Sequence, residues 1–125
     1  MARILVIDDD AGIREVIRRT LEKAGHEVFE APNGKVGIEL YEHEGPDIII
    51  TDMIMPEMEG AETIISIRSD RLDAKIIAIS GGGPSRDIST CLRVGEMAGA
   101  ARTLSKPFTQ EQILKAVQDL AEDLP

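Results

Sequence analysis

Residues 3–10 read RILVIDDD, so an apolar run ends in three consecutive aspartates. The run is short and rich in β-branched residues, which is typical of a buried β-strand. A single Asp at a strand end would be an ordinary turn or cap residue. Three carboxylates are different, because two of them about 4 Å apart repel by roughly 4 kcal/mol at an effective dielectric near 20. The cluster must therefore spread apart, take up protons or bind a cation.

Strand-like runs and amphipathic helical patterns alternate along the rest of the chain. The sequence predicts strands over residues 3–7, 27–31, 47–51, 75–79 and 102–104. The first helix should place Ile13, Val16, Ile17 and Leu21 on one face and stop at Gly25. Further helices are predicted over 34–44, 60–69 and 85–98. The last helix should start at Thr109 with a capping box to Gln112 and bury Ile113, Leu114, Val117, Leu120 and Leu124.

The middle strands are apolar on both faces, as in DIIIT (47–51) and KIIAI (75–79). Such strands suit a parallel sheet that helices cover on both sides. We therefore predict a single α/β domain over residues 1–125, a doubly wound three-layer sandwich. In this architecture the ligand crevice lies beyond the carboxyl ends of the strands.

The composition excludes several classes of function. With 42% hydrophobic and 30% charged residues the chain should be globular, and its net charge of −9 argues against a nucleic-acid or membrane surface. The one cysteine cannot form an internal disulfide, and neither a signal peptide nor a membrane-spanning run is recognisable. We expect a cytoplasmic protein whose partners are proteins or cations.

Polar residues follow four of the five predicted strands and should meet at one edge of the sheet: Asp8, Asp9, Asp52, Ser80 and Lys106. Each alone has an ordinary explanation as a turn or surface residue. Together they suit one chemistry, because clustered carboxylates bind Mg²⁺ and an Asp can attack phosphorus to form an aspartyl phosphate. A hydroxyl and an ammonium would hold the phosphoryl oxygens. Gly81, beside Ser80, would let the backbone approach closely.

Four segments in this order and spacing, ILVIDDD, PDIIITDMIMPEMEG, IIAISG and SKPF, resemble the receiver domain of two-component response regulators. The resemblance covers essentially the whole chain. It implies a flavodoxin-like fold with five helices and a five-stranded parallel sheet in the order 2-1-3-4-5. It also implies phosphoryl transfer from a histidine kinase or histidine phosphotransfer protein, and a downstream protein target that binds the side of the fourth helix and fifth strand.

The resemblance also implies the role of each site residue. Asp52 would be the phosphoacceptor. Asp9, Asp52 and the backbone carbonyl of Ile54 would bind Mg²⁺ or Mn²⁺, with Asp8 helping through a water. The phosphoryl oxygens would contact Ser80, Gly81 and Lys106, and the Lys-Pro peptide bond would be cis. The chain would be a signalling domain rather than an enzyme.

Two features depart from the family pattern. The family usually has an aromatic switch residue three positions before the lysine, where this chain has Thr103. The stretch from Ser80 to Lys106 is also a few residues longer than usual, with GGGPSRD (81–87) absorbing part of the difference. The family's aromatic-rotation signal is therefore not expected here, and the loop after the fourth strand and the helix that it starts should be atypical.

Two other functions remain open on the residues alone. Asp8 and Asp10 fit the D-x-D pattern of haloacid dehalogenase-like phosphohydrolases, with Asp8 as nucleophile and Asp10 as acid/base, although Ala11 and Gly12 do not continue that motif. A metal-binding or docking domain that has lost phosphorylation would also keep this fold. The phosphorylated position separates the three functions: Asp52, Asp8 or none.

Overall fold

The computed structural model describes residues 2–52, 63–67, 75–80 and 101–122. Five parallel strands form one sheet: β1 (Arg3–Ile7), β2 (Glu27–Ala31), β3 (Ile48–Asp52), β4 (Lys75–Ser80) and β5 (Arg102–Ser105). Their order in space is β2-β1-β3-β4-β5, which confirms the predicted order. The last three strands end one residue later than the sequence indicated, so Asp52 and Ser80 are the final residues of their strands.

The helices include α1 (Ala11–Lys23), α2 (Gly34–Glu44) and a C-terminal helix (Gln110–Ala121). Each begins after a polar cap: Asp10, Asn33 and Thr109 accept hydrogen bonds from the first-turn backbone. The capping box of Thr109 and Gln112 is present as predicted. Residues 63–67 are helical and belong to the predicted third helix, whereas the predicted fourth helix (85–98) and Leu124 lie outside the described residues.

Successive residues of the central strands are buried on opposite faces of the sheet, as the doubly apolar strands predicted. On one face Ile4, Ile50 and Ile77 pack with residues of α1 and the C-terminal helix. On the other face Leu5 and Ile49 belong to a cluster with Tyr41 of α2 and with Ile64 and Ile67 of the 63–67 segment. The sheet is therefore the middle layer of three.

One predicted core residue is wrong. Val16 is 52% exposed, while Ile17 and Leu21 are fully buried and Ile13 is partly buried. The buried face of α1 follows positions 13, 17, 20 and 21, and residue 16 is rotated by about 100° from residue 17. Val16 thus lies at the edge of the buried face of α1, where it lines a surface groove instead of the core.

The strand register brings the acidic residues to one edge. Ile7 is paired with Thr51, so Asp8 and Asp52 come next to each other at the carboxyl ends of β1 and β3. The Asp8 amide donates to the Ala31 carbonyl at 3.1 Å and so continues the pairing with β2. Over the described ranges, no helix combines the length and apolar character needed to cross a membrane.

Candidate functional site

Three carboxylates converge beyond the carboxyl ends of β1 and β3. Asp8, Asp9 and Asp52 each offer one oxygen atom, and these oxygens lie within 4.8 Å of one another. Asp8 and Asp52 are 1% and 5% exposed, whereas Asp9 is open to solvent. The group therefore has two buried carboxylates and one at the mouth, a shape that admits a cation from outside.

Asp10 belongs to the helix rather than to this group. Its Oδ1 accepts hydrogen bonds from the amides of Gly12 at 2.8 Å and Ile13 at 3.2 Å, and so caps α1. Its own amide donates to Oδ1 of Asp8 at 2.9 Å. The three consecutive aspartates thus have different roles. Asp10 caps the start of α1, whereas Asp8 and Asp9 belong to the three-carboxylate group.

Lys106 supplies the positive charge of the site. Its Nζ donates to Oδ2 of Asp52 at 3.1 Å and lies 3.3 Å from Oδ2 of Asp8. The Lys106–Pro107 peptide bond is cis, as the resemblance implied. Among the described residues, the three carboxylates and the one ammonium leave the site with two formal negative charges.

The pKa shifts follow from this crowding. Burial raises the pKa of Asp8 above its usual range, and the nearby negative charge of Asp52 raises it further, against the opposing effects of the Asp10 amide and Lys106. Burial lowers the pKa of Lys106, but the charges of Asp52 and Asp8 outweigh it, so the pKa of that ammonium is raised. Lys106 therefore stays charged, while Asp8 binds a proton more readily than a free carboxylate does.

The residues present fit a hard divalent cation. Oδ2 of Asp8 is buried and, among the described residues, makes no hydrogen bond of acceptable geometry, although Lys106 is close. Mg²⁺ takes oxygen ligands at about 2.1 Å, so two ligands on opposite sides of the ion are about 4 Å apart. The three carboxylate oxygens lie within 4.8 Å of one another, close to that separation, and Asp9 is open to solvent.

Several predicted site residues are only partly placed. Ser80 is the last residue of β4, where its backbone is paired with Ser105 of β5, so it lies at the same edge as Asp52. Thr103 is a half-buried residue of β5 paired with Ala78. Ile54 and Gly81 lie outside the described residues. The structure thus brings together Asp8, Asp9, Asp52 and Lys106.

The sequence did not single out Arg14, which contacts this site from α1. Its Nη1 donates to the backbone carbonyl of Asp8 at 2.6 Å, and its Nε lies 3.3 Å from Oε1 of Glu30 on β2. Periodicity reports side-chain burial but not a hydrogen bond to a backbone carbonyl. The only available signal was that Arg14 lies in the first turn of a helix that begins at the acidic cluster.

Comparison with known proteins defines the class. The family model of the response regulator receiver domain matches residues 4–118, which contain every described element except the first residue of β1 and the end of the C-terminal helix. This chain belongs to that family. The receiver domain accepts a phosphoryl group on an aspartate in two-component signal transduction.

Individual relatives support the same assignment. The chain is 34% identical to the chemotaxis protein CheY of Thermotoga maritima, over 96% of this chain and 98% of that protein. It is 35% identical to the response regulator MprA of Mycolicibacterium vanbaalenii, over 94% of this chain and 49% of that longer protein. A response regulator receiver domain protein of Clostridium thermocellum superposes with a TM-score of 0.89 at 28% identity, covering 98% and 95% of the two chains.

Proposed function

We propose that residues 1–125 form one receiver domain that takes a phosphoryl group on Asp52 from a phosphohistidine donor. One observation carries this proposal: Asp52 is buried at the end of β3, is bonded to Lys106 and lies beside two further carboxylates. Asp8 directly follows the neighbouring strand β1, but its Oδ1 accepts a hydrogen bond from the Asp10 amide. Asp9 is exposed at the mouth of the site. We accordingly assign metal binding to Asp8, Asp9 and Asp52, and we assign the role of nucleophile to Asp52 as well.

The transfer itself is a displacement at phosphorus. A carboxylate oxygen of Asp52 forms the new P–O bond while the P–N bond to the donor histidine breaks, and the released imidazole keeps the electron pair and takes a proton. Lys106 holds Asp52 in place before transfer and afterwards bonds a phosphoryl oxygen. Ser80 and the Gly81 amide are assigned to the other oxygens. Asp9, Asp52, the Ile54 carbonyl and Asp8 would hold Mg²⁺ or Mn²⁺, which offsets the charge that otherwise repels the phosphoryl group.

In this proposal the chain is a signalling domain that assists its own phosphorylation and dephosphorylation, and not an enzyme acting on a separate substrate. Its phosphodonor is a histidine kinase or phosphotransfer protein, and its output is a protein contact rather than nucleic acid or membrane binding. The net charge of −9 supports that choice of partner. We place the chain in the cytoplasm because its proposed donor protein is itself phosphorylated from ATP.

The experiment that tests the phosphoacceptor uses acetyl phosphate and Mg²⁺ followed by mass spectrometry. We expect one acyl phosphate on Asp52 in the wild-type chain and none in Asp52→Asn. An acyl phosphate on Asp8 would support the phosphohydrolase instead, and the absence of any adduct would support a metal-binding or docking domain. Labelling of Asp52→Asn at the wild-type rate would remove Asp52 from its assigned role.

A groove beside the site offers a docking surface for the donor protein. It has a volume of about 700 Å³ and is mostly apolar, with Ile13 and Val16 of α1 on one side and Pro107 and Phe108 on the other. Lys106 also lines it, so a protein bound there reaches the phosphoacceptor. Val16 is 52% exposed at the edge of the buried face of α1, and this exposure fits such a use.

The docking groove can be tested apart from the chemistry. The donor for this test is the histidine kinase that labels the wild-type chain fastest in a screen. Val16→Asp should slow transfer from that kinase by about tenfold, which corresponds to 1.4 kcal/mol. Labelling by acetyl phosphate should be unchanged, because the small donor needs no docking surface. Ile65→Asp is the matched control, since Ile65 is equally exposed at 55% but belongs to the 63–67 segment. Equal effects of the two substitutions would refute the groove as a docking site.

A further inference from the structure

We propose that Arg14 is a positioning residue that orients Asp9 by holding the peptide group between Asp8 and Asp9. This inference rests on the proposed function, in which Asp8 and Asp9 bind the divalent cation. Arg14 lies in the first turn of α1 and its side chain is only 16% exposed. Its guanidinium contacts the backbone of the acidic loop and does not belong to the three-carboxylate group itself.

The guanidinium joins three elements. Nη1 donates to the Asp8 carbonyl at the end of β1, at 2.6 Å, and Nε pairs with Glu30 of β2 at 3.3 Å. Arginine presents several N–H groups in a fixed planar fork, so one contact sets the direction of the other. Glu30 thus fixes the plane from which Arg14 holds the carbonyl.

Three hydrogen bonds then restrain Asp8, two at its backbone and one at its side chain. Its amide donates to Ala31 of β2, its Oδ1 accepts from the Asp10 amide, and its carbonyl accepts from Arg14. Because a peptide unit is planar, fixing the Asp8 carbonyl also fixes the Asp9 amide and the direction in which the chain enters Asp9. Asp9 is exposed, so packing does little to hold its side chain. The orientation of the Asp9 carboxylate toward the cation therefore depends on the peptide group between Asp8 and Asp9.

A positioning role and a purely electrostatic role predict opposite effects. If Arg14 acted only through its charge, removing it would make the acidic site more negative and Mg²⁺ would bind more tightly. If Arg14 positions Asp9, removing it weakens Mg²⁺ binding despite the gain in negative charge. The second Glu30 oxygen pairs with Arg18 at 3.0 Å. The carboxylate of Glu30 therefore already offsets part of the positive charge of Arg14 and Arg18.

The test measures Mg²⁺ affinity by calorimetry for the wild-type chain, Arg14→Ala and Arg14→Lys. Outer-shell groups that orient metal ligands typically change affinity by roughly 10- to 100-fold, so we expect a loss of about tenfold in both variants. Lysine keeps the charge but carries one ammonium, which cannot serve the Asp8 carbonyl and Glu30 in the same geometry. The amide ¹⁵N shift of Asp9 should move in both variants. Melting temperatures measured without metal separate this effect from a general loss of stability.

Arg18→Ala is the matched control, because Arg18 shares Glu30 with Arg14 but its described contacts are with Glu30 and Glu22 rather than Asp8. We expect its Mg²⁺ affinity to stay within twofold of wild type. Unchanged or tighter binding in Arg14→Lys would overturn the positioning role, and that variant decides the matter if Arg14→Ala does not fold. Absence of Mg²⁺ binding in the wild-type chain would overturn the proposed function as well, so the two failures are distinct.

Discussion

Asp8 and Asp52 are buried next to each other, and burial disfavours the charged form of Asp8. Lys106 balances part of this charge, but the raised pKa of Asp8 shows that repulsion and desolvation are not fully offset. A bound cation would supply the missing positive charge, and Asp9 lies where that cation would enter. At the scale of single residues, metal binding and stability should therefore be coupled.

Mg²⁺ and Mn²⁺ should raise the melting temperature of the wild-type chain, and Asp9→Ala should remove most of that increase. A ligand that binds only the folded state stabilises it by about 2.7 kcal/mol at 100 times its dissociation constant. Binding should be weak, so millimolar metal is used in thermal unfolding followed by circular dichroism. A melting temperature that saturating metal leaves unchanged would contradict the coupling.

Asp10→Ala provides the comparison. The N-cap bonds to Gly12 and Ile13 are lost, so the metal-free chain should be destabilised by about 1 kcal/mol. The increase in melting temperature on adding Mg²⁺ should remain, because Asp10 is not part of the three-carboxylate group. A larger loss of metal response in Asp10→Ala than in Asp9→Ala would reverse these assignments.

His26 should make folding stability depend on pH. Its Nδ1 accepts a hydrogen bond from the Ala2 amide at 3.0 Å, which requires a neutral ring, and burial lowers its pKa below the usual 6.5. A lowered pKa means that the unfolded state takes up a proton first, so this contribution is present above pH 6.5 and is lost as the pH falls through the folded-state pKa.

Urea unfolding between pH 7.5 and 5 measures this contribution. As the pH is lowered, the stability of the wild-type chain should fall more steeply than that of His26→Gln. His43→Gln changes an exposed residue of α2 and should follow the wild type. Comparison of variants is needed because carboxylates also titrate in the lower part of this range. Parallel curves for His26→Gln and the wild type would exclude His26 as the source.

At the scale of elements, the sequence predicted most boundaries because their signals are local. The caps Asp10 and Thr109 and the glycine at position 25 are chemical features of a few neighbouring residues. The face of α1 was predicted less well, since Val16 has helical spacing but lies at the edge of the packed surface. Which face of a helix is covered depends on the neighbouring helix, and that information is not local.

The C-terminal helix should be sensitive to its cap. Thr109→Ala removes the acceptor of the Gln112 amide at 3.1 Å, and we expect a loss of about 1 kcal/mol in the free energy of unfolding. Thr109→Ser keeps a hydroxyl at the same position and should lose much less. Both variants should still be labelled on Asp52 by acetyl phosphate, because Lys106 contacts that site from the preceding segment. Equal losses for Ala and Ser would mean that the hydroxyl does not act as a cap.

At the scale of the whole molecule, the site was predictable because the topology assembles it. Parallel strands end at one edge, so Asp8, Asp52 and Lys106 could be expected to meet although 98 residues separate the first from the last. The contact of Arg14 with the Asp8 carbonyl could not, because any basic residue on α1 satisfies the same helical pattern. Which basic residue of α1 reaches the Asp8 carbonyl depends on the strand register, and that register is a property of the packed sheet.

The last prediction concerns how phosphorylation alters the whole domain. A phosphoryl group carries nearly two negative charges, and its bonds to Ser80 and Lys106 would draw the end of β4 and the segment after β5 toward Asp52. Thr103 has too little bulk to report this movement as an aromatic ring would. We expect the signal to pass instead through residues 81–89, a segment that begins with three consecutive glycines. We also expect a protein partner to bind the surface of the predicted fourth helix and β5.

Amide hydrogen exchange with and without beryllofluoride, a phosphoryl mimic, measures this signal. Protection changes should concentrate in residues 80–106, with smaller changes in α1 and α2, because coupling between sites typically amounts to about 1–3 kcal/mol and should be strongest near the new bonds. Asp52→Asn should abolish the response, which ties it to the phosphoacceptor. Thr103→Tyr tests the substitute route, since an aromatic ring on the half-buried β5 position should shift protection toward β5 itself. Changes limited to α1 and α2, with residues 80–106 unaffected, would contradict this route for the signal.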